Sequence, residues 1–281
     1  MIINGKKTAQ LIFDELKEKV SKLSEKPTIA VIIVGENPAS KIYVKIKHKK
    51  AMELGMNSLV VEMPENTTQE DLLLKIEELN KNPNVNAILV QMPLPAHINT
   101  YQVLEKISPI KDVDGFTFEN VAKNIIGIPP NAYSCTPKGI LRLLEDYSIE
   151  IEGKNVLIIG RSNIVGKPLA AMFLNKNATI TVAHSKTKNL EKLARNADIV
   201  VAAVGIPKFV KASWIKENAV VIDVGITRLE DKTLVGDVDF EEVAKKASFI
   251  TPVPGGVGPM TIIMLLENTL ELFLLQKKEQ K

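Results

Sequence analysis

Tyr43 and Lys47 stand four residues apart in the run Ala39 to Leu54, whose apolar positions recur at helical spacing, so on a helix the two side chains meet. With successive residues about 100° apart on a helical wheel, Tyr43, Val44, Ile46, Ala51 and Leu54 form one broad stripe, and Lys47 falls inside it. A lysine held against apolar walls has its charged form disfavoured, which suits it to taking and returning a proton. A lysine whose stem lies on the stripe and whose amine snorkels to water fits the same wheel. Lys41, Lys45, His48 and Lys49 point elsewhere, as a solvated face, and Lys50 lies toward the margin. Gln91 closes the apolar run from Asn86 and precedes Met92-Pro93-Leu94-Pro95. That places it at the C-terminal end of a strand, where open α/β sheets put their ligands; a glutamine bonding loop backbone is the plainer alternative. In Lys111-Asp112-Val113-Asp114-Gly115, Asp114 could hydrogen-bond a ligand, while Asp112 could cap the turn or pair with Lys111. A structural Asx turn accounts for the same residues.

A second constellation follows the apolar run Val156 to Ile159: Gly160-Arg161-Ser162-Asn163-Ile164-Val165-Gly166-Lys167-Pro168. It reads as a strand covered on both faces, a glycine turn and a helix start, where free N–H groups and the helix dipole favour a phosphate. Five residues separate Gly160 from Gly166 and Pro168 follows Lys167, so the spacing departs from a nucleotide-hydrolase loop. It also departs from G-x-G-x-x-G, because Ser162 replaces the second glycine and the last comes one place late. A strand-to-helix turn without a ligand fits the motif taken alone.

The next strand, Ala178 to Ala183, sharpens the reading, since it ends in His184-Ser185-Lys186-Thr187. A carboxylate near that position would accept the ribose hydroxyls of NAD. None is present, and Ser185, Lys186 and Arg161 would meet a 2′-phosphate with donors and positive charge, so the expected cofactor is NADP.

These residues need two α/β supports. Helices are predicted over 7–23, 39–54 and 68–79, and strands over 28–34, 58–63 and 86–91. Asn37 suits a helix cap with Pro38 in the first turn. Residues 117–135, rich in Pro and Asn, read as an irregular interdomain segment, after which Thr136 caps a helix carrying Ile140, Leu141, Leu143 and Leu144 inward. Strands at 155–160, 178–183, 198–203 and 219–224 then alternate with helices, and Ser248-Phe249-Ile250 adds a further strand. The loop Thr251 to Pro259 leads into a last helix from about Met260 to Leu275, with a charged tail from Lys277 to Lys281.

With 281 residues the chain accommodates two ordinary cores. A net charge of +3, spread among acidic neighbours, points away from nucleic acid. One cysteine, Cys135, excludes an internal disulfide, and three scattered histidines, His48, His97 and His184, give no metal-ligand spacing. The first residues show neither a signal peptide nor a membrane span, so a cytoplasmic protein is expected.

Several segments, in order, resemble the bifunctional methylenetetrahydrofolate dehydrogenase/methenyltetrahydrofolate cyclohydrolase family: Gly35-Glu-Asn-Pro-Ala-Ser40 followed by Tyr43-Val-Lys-Ile-Lys47, Val90-Gln-Met-Pro-Leu-Pro95, Lys111-Asp-Val-Asp-Gly-Phe116, Cys135-Thr-Pro-Lys-Gly139, Gly160 to Pro168, and Pro254-Gly-Gly-Val-Gly-Pro-Met-Thr261. Ser134 stands where that family usually has proline, and Ala122 where glycine is common. The resemblance implies a two-domain α/β fold. Residues 1–135, completed by the C-terminal helix at about 260–281, would form a folate-binding catalytic domain, and 136–259 a Rossmann-like, doubly wound NADP-binding domain. A reduced folate would lie in the cleft between them, pass a hydride from its bridging methylene to the nicotinamide of NADP, and add water to the resulting methenyl cation to give 10-formyltetrahydrofolate. The same resemblance makes Lys47 the catalytic lysine, Tyr43 its partner, Gln91 the glutamine that tunes it and Asp114 the pterin-binding aspartate. It assigns Gly160, Arg161, Ser162, Ser185 and Ile226 to the cofactor, requires no metal, and implies a homodimer serving one-carbon metabolism and purine biosynthesis. A different two-domain dehydrogenase and a nucleotide-sensing protein without turnover are the alternatives, which reaction with reduced folate separates.

Overall fold

Runs of β-branched residues give two parallel sheets, each inside its own packing unit. The computed structural model describes residues 1–279. The final two positions of the predicted C-terminal segment, Gln280 and Lys281, lie outside the described residues. One unit comprises 12–123, 128–133 and the chain from 265 onward; the other comprises 1–11, 124–127 and 134–264.

The elements of the first half are α1 (Gly5–Ser21), β1 (Thr28–Val34), α2 (Pro38–Leu54), β2 (Asn57–Met63), α3 (Gln69–Lys81), β3 (Ala87–Val90), α4 (Thr100–Lys106) and α5 (Phe118–Ile125). The sheet order is β2-β1-β3, all parallel, with β1 central and buried from Ile29 to Val34. The chain leaves β1 for one flank and returns to the other, so the topological switch lies between β1 and β3, and Gln91 directly follows β3 there. The Asn37 side chain accepts the Ser40 N–H at 3.0 Å, Pro38 occupies the first turn, and Gly55 closes α2 in the left-handed region.

The second half contains α6 (Cys135–Asp146), β4 (Asn155–Ile159), α7 (Gly166–Leu174), β5 (Thr179–Ala183), α8 (Leu190–Asn196), β6 (Ile199–Ala202), β7 (Val220–Asp223), the hairpin β8 (Thr227–Arg228) and β9 (Leu234–Val235), α9 (Phe240–Val243), β10 (Phe249–Ile250) and α10 (Val257–Glu279). Its five-stranded parallel sheet runs β5-β4-β6-β7-β10, a doubly wound order whose switch point falls between β4 and β6. Ile2 bridges to Ile250, which joins the first residues to the edge of this sheet. In α10, an apolar window suited by length and composition to a membrane is 61% buried within the protein, as in a core helix. The part of α10 from Leu265 on packs with the first sheet's unit.

Two local expectations change. The segment 117–135 is not irregular throughout, because α5 lies within it and α6 begins at Cys135. Its buried face is polar: Thr117, Asn120 and Asn124 recur at helical spacing and are nearly inaccessible, a pattern that hydrophobic periodicity passes over. Thr136 does not cap α6. Ser134 occupies the cap position without a side-chain bond, and the Thr136 hydroxyl instead meets that of Thr261 at 2.8 Å.

Candidate active site

The first site is built on α2 and the end of β3. Lys47 Nζ donates to Gln91 Oε1 at 3.0 Å, and Gln91 Nε2 donates to the Met92 carbonyl at 2.7 Å. The second bond fixes which end of the amide faces the lysine. Gln91 is a neutral acceptor, so it orients the amine without a full countercharge. Val44, Ala51 and Leu54 are buried together with Ser40, as the wheel requires, but Tyr43 and Ile46 are 44% and 38% exposed. Lys47 is therefore half-buried at the margin of the packed stripe and held by an amide, not enclosed by apolar walls. Tyr43 lies one turn before it, with an exposed ring available to a ligand. His48, expected on the solvated face, is instead half-buried in a hollow beside Val60 and Glu62.

The segment between α4 and α5 carries Asp114, which is half-buried. Ile88 N–H donates to the Lys111 carbonyl at 2.7 Å and Ile88 bridges in parallel to Asp112, so this segment touches β3 at Ile88 before a turn from Asp112 to Gly115 that carries Asp114. Asp112 holds this loop from inside: its carboxylate accepts N–H bonds from Gly115 at 3.0 Å and Thr117 at 2.8 Å, and from the Asn120 side chain at 3.0 Å. Burial raises the Asp112 carboxyl above the usual carboxylate range, and these donors oppose the shift. Lys111 does not pair with Asp112. Its buried amine donates to the carbonyls of Leu79, Asn80 and Asn82 at the end of α3, where the helix dipole favours a cation. Burial pulls the Lys111 amine below its ordinary value. The Asn268 amide of α10 donates to the carbonyls of Val113 and Tyr133, both at 2.8 Å. A lone Asn-Thr step in so apolar a helix is the sequence signal that could have found it.

The nucleotide turn lies at the switch point of the larger sheet. Gly160 has φ +125°, and a Cβ there would overlap the Ala203 carbonyl that follows β6; one on Gly166 would overlap the Gly160 carbonyl. Only glycine fits at either place, leaving backbone close to whatever enters the crevice. Ser162 Oγ accepts N–H bonds from Val165 at 3.1 Å and Gly166 at 3.4 Å, so the serine in place of a second glycine secures the entry to α7. The turn after β5 is closed by His184 N–H to Thr187 Oγ1 at 2.9 Å and Lys186 N–H to His184 Nδ1 at 3.2 Å, which leaves Ser185 and Lys186 outermost. Arg161, Ser162 and Ile226 are also exposed at strand ends. This cradle, with cationic and hydroxyl groups and no carboxylate in the turn after β5, fits a phosphorylated dinucleotide.

Two parallel α/β units, one carrying a lysine and glutamine in contact at its switch point and the other a glycine cradle, define a two-domain, nucleotide-dependent dehydrogenase. Residues 3–114 match the family model for the tetrahydrofolate dehydrogenase/cyclohydrolase catalytic domain, and 134–277 that for its NAD(P)-binding domain. The chain is 54% identical to the bifunctional protein FolD of Prosthecochloris aestuarii, over 97% of this chain and 98% of the relative. Its structure matches that of bifunctional FolD from Campylobacter jejuni with TM-score 0.97, 49% identity and 99% of both chains covered. The Trypanosoma brucei enzyme, whose structure holds NADP and an inhibitor, matches with TM-score 0.94 and 40% identity over 99% of this chain and 98% of that one. This chain belongs to the tetrahydrofolate dehydrogenase/cyclohydrolase family. It is a bifunctional enzyme that oxidises 5,10-methylenetetrahydrofolate to the methenyl compound with NADP and hydrolyses that product to 10-formyltetrahydrofolate.

Proposed function

We propose that Lys47 moves the proton in the hydrolytic step, with Gln91 holding its amine, Tyr43 beside it and Asp114 binding the pterin. The observation that carries this reading is the 3.0 Å bond from Lys47 Nζ to Gln91 Oε1 at the end of β3. When bound, NADP supplies the hydride acceptor for the dehydrogenase step. Water then adds to the methenyl carbon and loses a proton to the Lys47 amine. As the bond from that carbon to one ring nitrogen breaks, the amine returns its proton to the nitrogen and the carbinol hydroxyl releases its remaining proton to solvent, leaving the formyl group. One group serving as base and then acid fits the sequence of events.

Gly160, Arg161, Ser162, Ser185 and Ile226 form the NADP site in this reading. Ser162 offers its backbone and its hydroxyl hydrogen, because the oxygen already accepts the N–H groups that open α7. Arg161 and Ser185, with Lys186, select the 2′-phosphate. Folate binding belongs to residues 1–135 with the C-terminal helix, and NADP binding to 136–259. The enzyme acts as a cytoplasmic homodimer and supplies formyl groups to purine biosynthesis.

The test incubates the enzyme with 5,10-methylenetetrahydrofolate and NADP and follows methenyl and formyl products separately, in wild type and in Lys47→Met. Loss of the general acid-base should slow hydrolysis of the methenyl compound about a thousandfold, with NADP affinity unchanged. Full hydrolytic activity in Lys47→Met refutes the assignment.

A further inference from the structure

At the C-terminal edge of the larger sheet, two carboxylates are sealed inside the protein. Asp237 is 0% exposed and Asp223 is 2% exposed. Asp223 ends β7, and its carboxylate accepts N–H bonds from Gly225 at 3.1 Å and from Asp237 and Val238 at 2.9 Å. Asp237 Oδ2 reaches the opposite way, accepting Val204 N–H at 2.6 Å and Gly205 N–H at 3.0 Å just beyond β6. Its other oxygen, Oδ1, is buried and has no hydrogen-bond partner among the described residues. The approach is close enough to dictate residue types. A Cβ on Gly225 would overlap Asp237 Oδ1, and one on Gly236 would overlap the Asp223 carboxylate. Neither glycine has positive φ, so the requirement is for space.

Backbone bonds extend the same link. Lys208 N–H donates to the Gly236 carbonyl at 3.0 Å, Val210 N–H to that of Asp237 at 2.9 Å, and Asp239 N–H to that of Val210 at 2.9 Å. Residues 236–239 thus staple the exit of β6 to the exit of β7. These exits carry the Ala203 carbonyl against which Gly160 packs, and the exposed Ile226.

We propose that Asp237 is a positioning residue for the NADP site: its carboxylate fixes the turn after β6 to the turn after β7, setting the crevice that receives the nucleotide. A buried carboxylate with one oxygen lacking a donor is costly to keep. It persists because the second oxygen collects two N–H groups that would otherwise lack that acceptor. This inference rests on the proposed placement of NADP at Gly160, Arg161, Ser162, Ser185 and Ile226.

The test measures NADP affinity directly by calorimetry in Asp237→Ala, Asp237→Asn and Arg161→Ala. It is accompanied by hydrolysis of the methenyl substrate without nucleotide and by thermal unfolding read from the single tryptophan, Trp214. Asp237→Ala should weaken NADP binding about tenfold or more, while Asp237→Asn, which keeps an acceptor oxygen for both N–H groups, should stay within about threefold. Nucleotide-free hydrolysis should be unaffected in both. NADP affinity unchanged in Asp237→Ala, equal losses in Ala and Asn, or a parallel fall in hydrolysis overturns the proposal. If Arg161→Ala also leaves NADP affinity unchanged, the cofactor placement itself fails; if Arg161→Ala weakens it and Asp237→Ala does not, only the positioning role fails. Should Asp237→Ala not yield folded protein, Asp237→Ser, whose hydroxyl is too short to span both N–H groups, takes its place with the same expectation.

Discussion

Lys111 and Asp112 are adjacent, buried and opposite in charge, yet neither serves as the other's counter-ion; Asp223 and Asp237 carry like charge and are buried together. In the catalytic-domain unit each charge is met by backbone dipoles of its own: three carbonyls at the end of α3 for the amine, and two N–H groups with an amide for the carboxylate. In the nucleotide unit the donors run one short, and Asp237 Oδ1 has no partner among the described residues. Burial first, with the neighbouring Asp237 charge adding to it, pushes the Asp223 carboxyl up to about 6. Both arrangements fix a loop. The first does so with every group satisfied, the second with a group that titrates near neutrality. Buried charge positions a loop through the backbone groups it collects, and ion pairing is not required.

Three perturbations sharpen this contrast. Asp114→Ala removes the carboxylate proposed to bind the pterin but leaves the Asp112 scaffold, so folate binding should weaken about a hundredfold, as expected for a lost charge-assisted bond in a binding site. NADP affinity should not change, and equal losses for both ligands in titrations would point to a collapsed fold. Lys111→Met keeps the aliphatic stem but strips three carbonyls of their donor, and should cost about 2 kcal/mol of stability. Chemical denaturation measures it; a variant as stable as wild type would show that the carbonyls find water instead.

The smallest effect concerns pH. Because Asp223 titrates higher when folded than its ordinary 3.8, the folded state binds its proton first. Its contribution is fully present below the unfolded value and is lost as pH rises through about 6. Between pH 7 and pH 5 this group alone should add about 1 kcal/mol of stability. Asp223→Asn should flatten that part of the stability profile relative to wild type, and an unchanged slope would assign the titration elsewhere.

The elements that support both sites were legible because their cores are apolar: β1, β3, β4, β6 and β7 are built on apolar runs, and Asn37-Pro38 marks the start of α2 as capping chemistry predicts. What escaped was polar and buried. Asn120 and Asn124 of α5 and Thr117 just before it are buried, and Asp237 reads in sequence as one more turn residue after Gly236. Its two N–H partners lie 33 and 32 residues away, a separation that no local pattern encodes.

By itself the sequence determined the candidate residues and their local spacing: a lysine and tyrosine one helical turn apart, a glutamine after an apolar run, a glycine turn with no carboxylate following the next strand. Residue type and short-range spacing suffice for those, because helix and strand geometry are local. Only the tertiary structure decided that Lys47 is held by an amide at the margin of its stripe, that Lys111 and Asp112 ignore each other, and that residues 1–11 pack with the larger sheet. Each depends on which distant backbone groups lack partners once the sheets have formed, and that is settled by folding the whole chain.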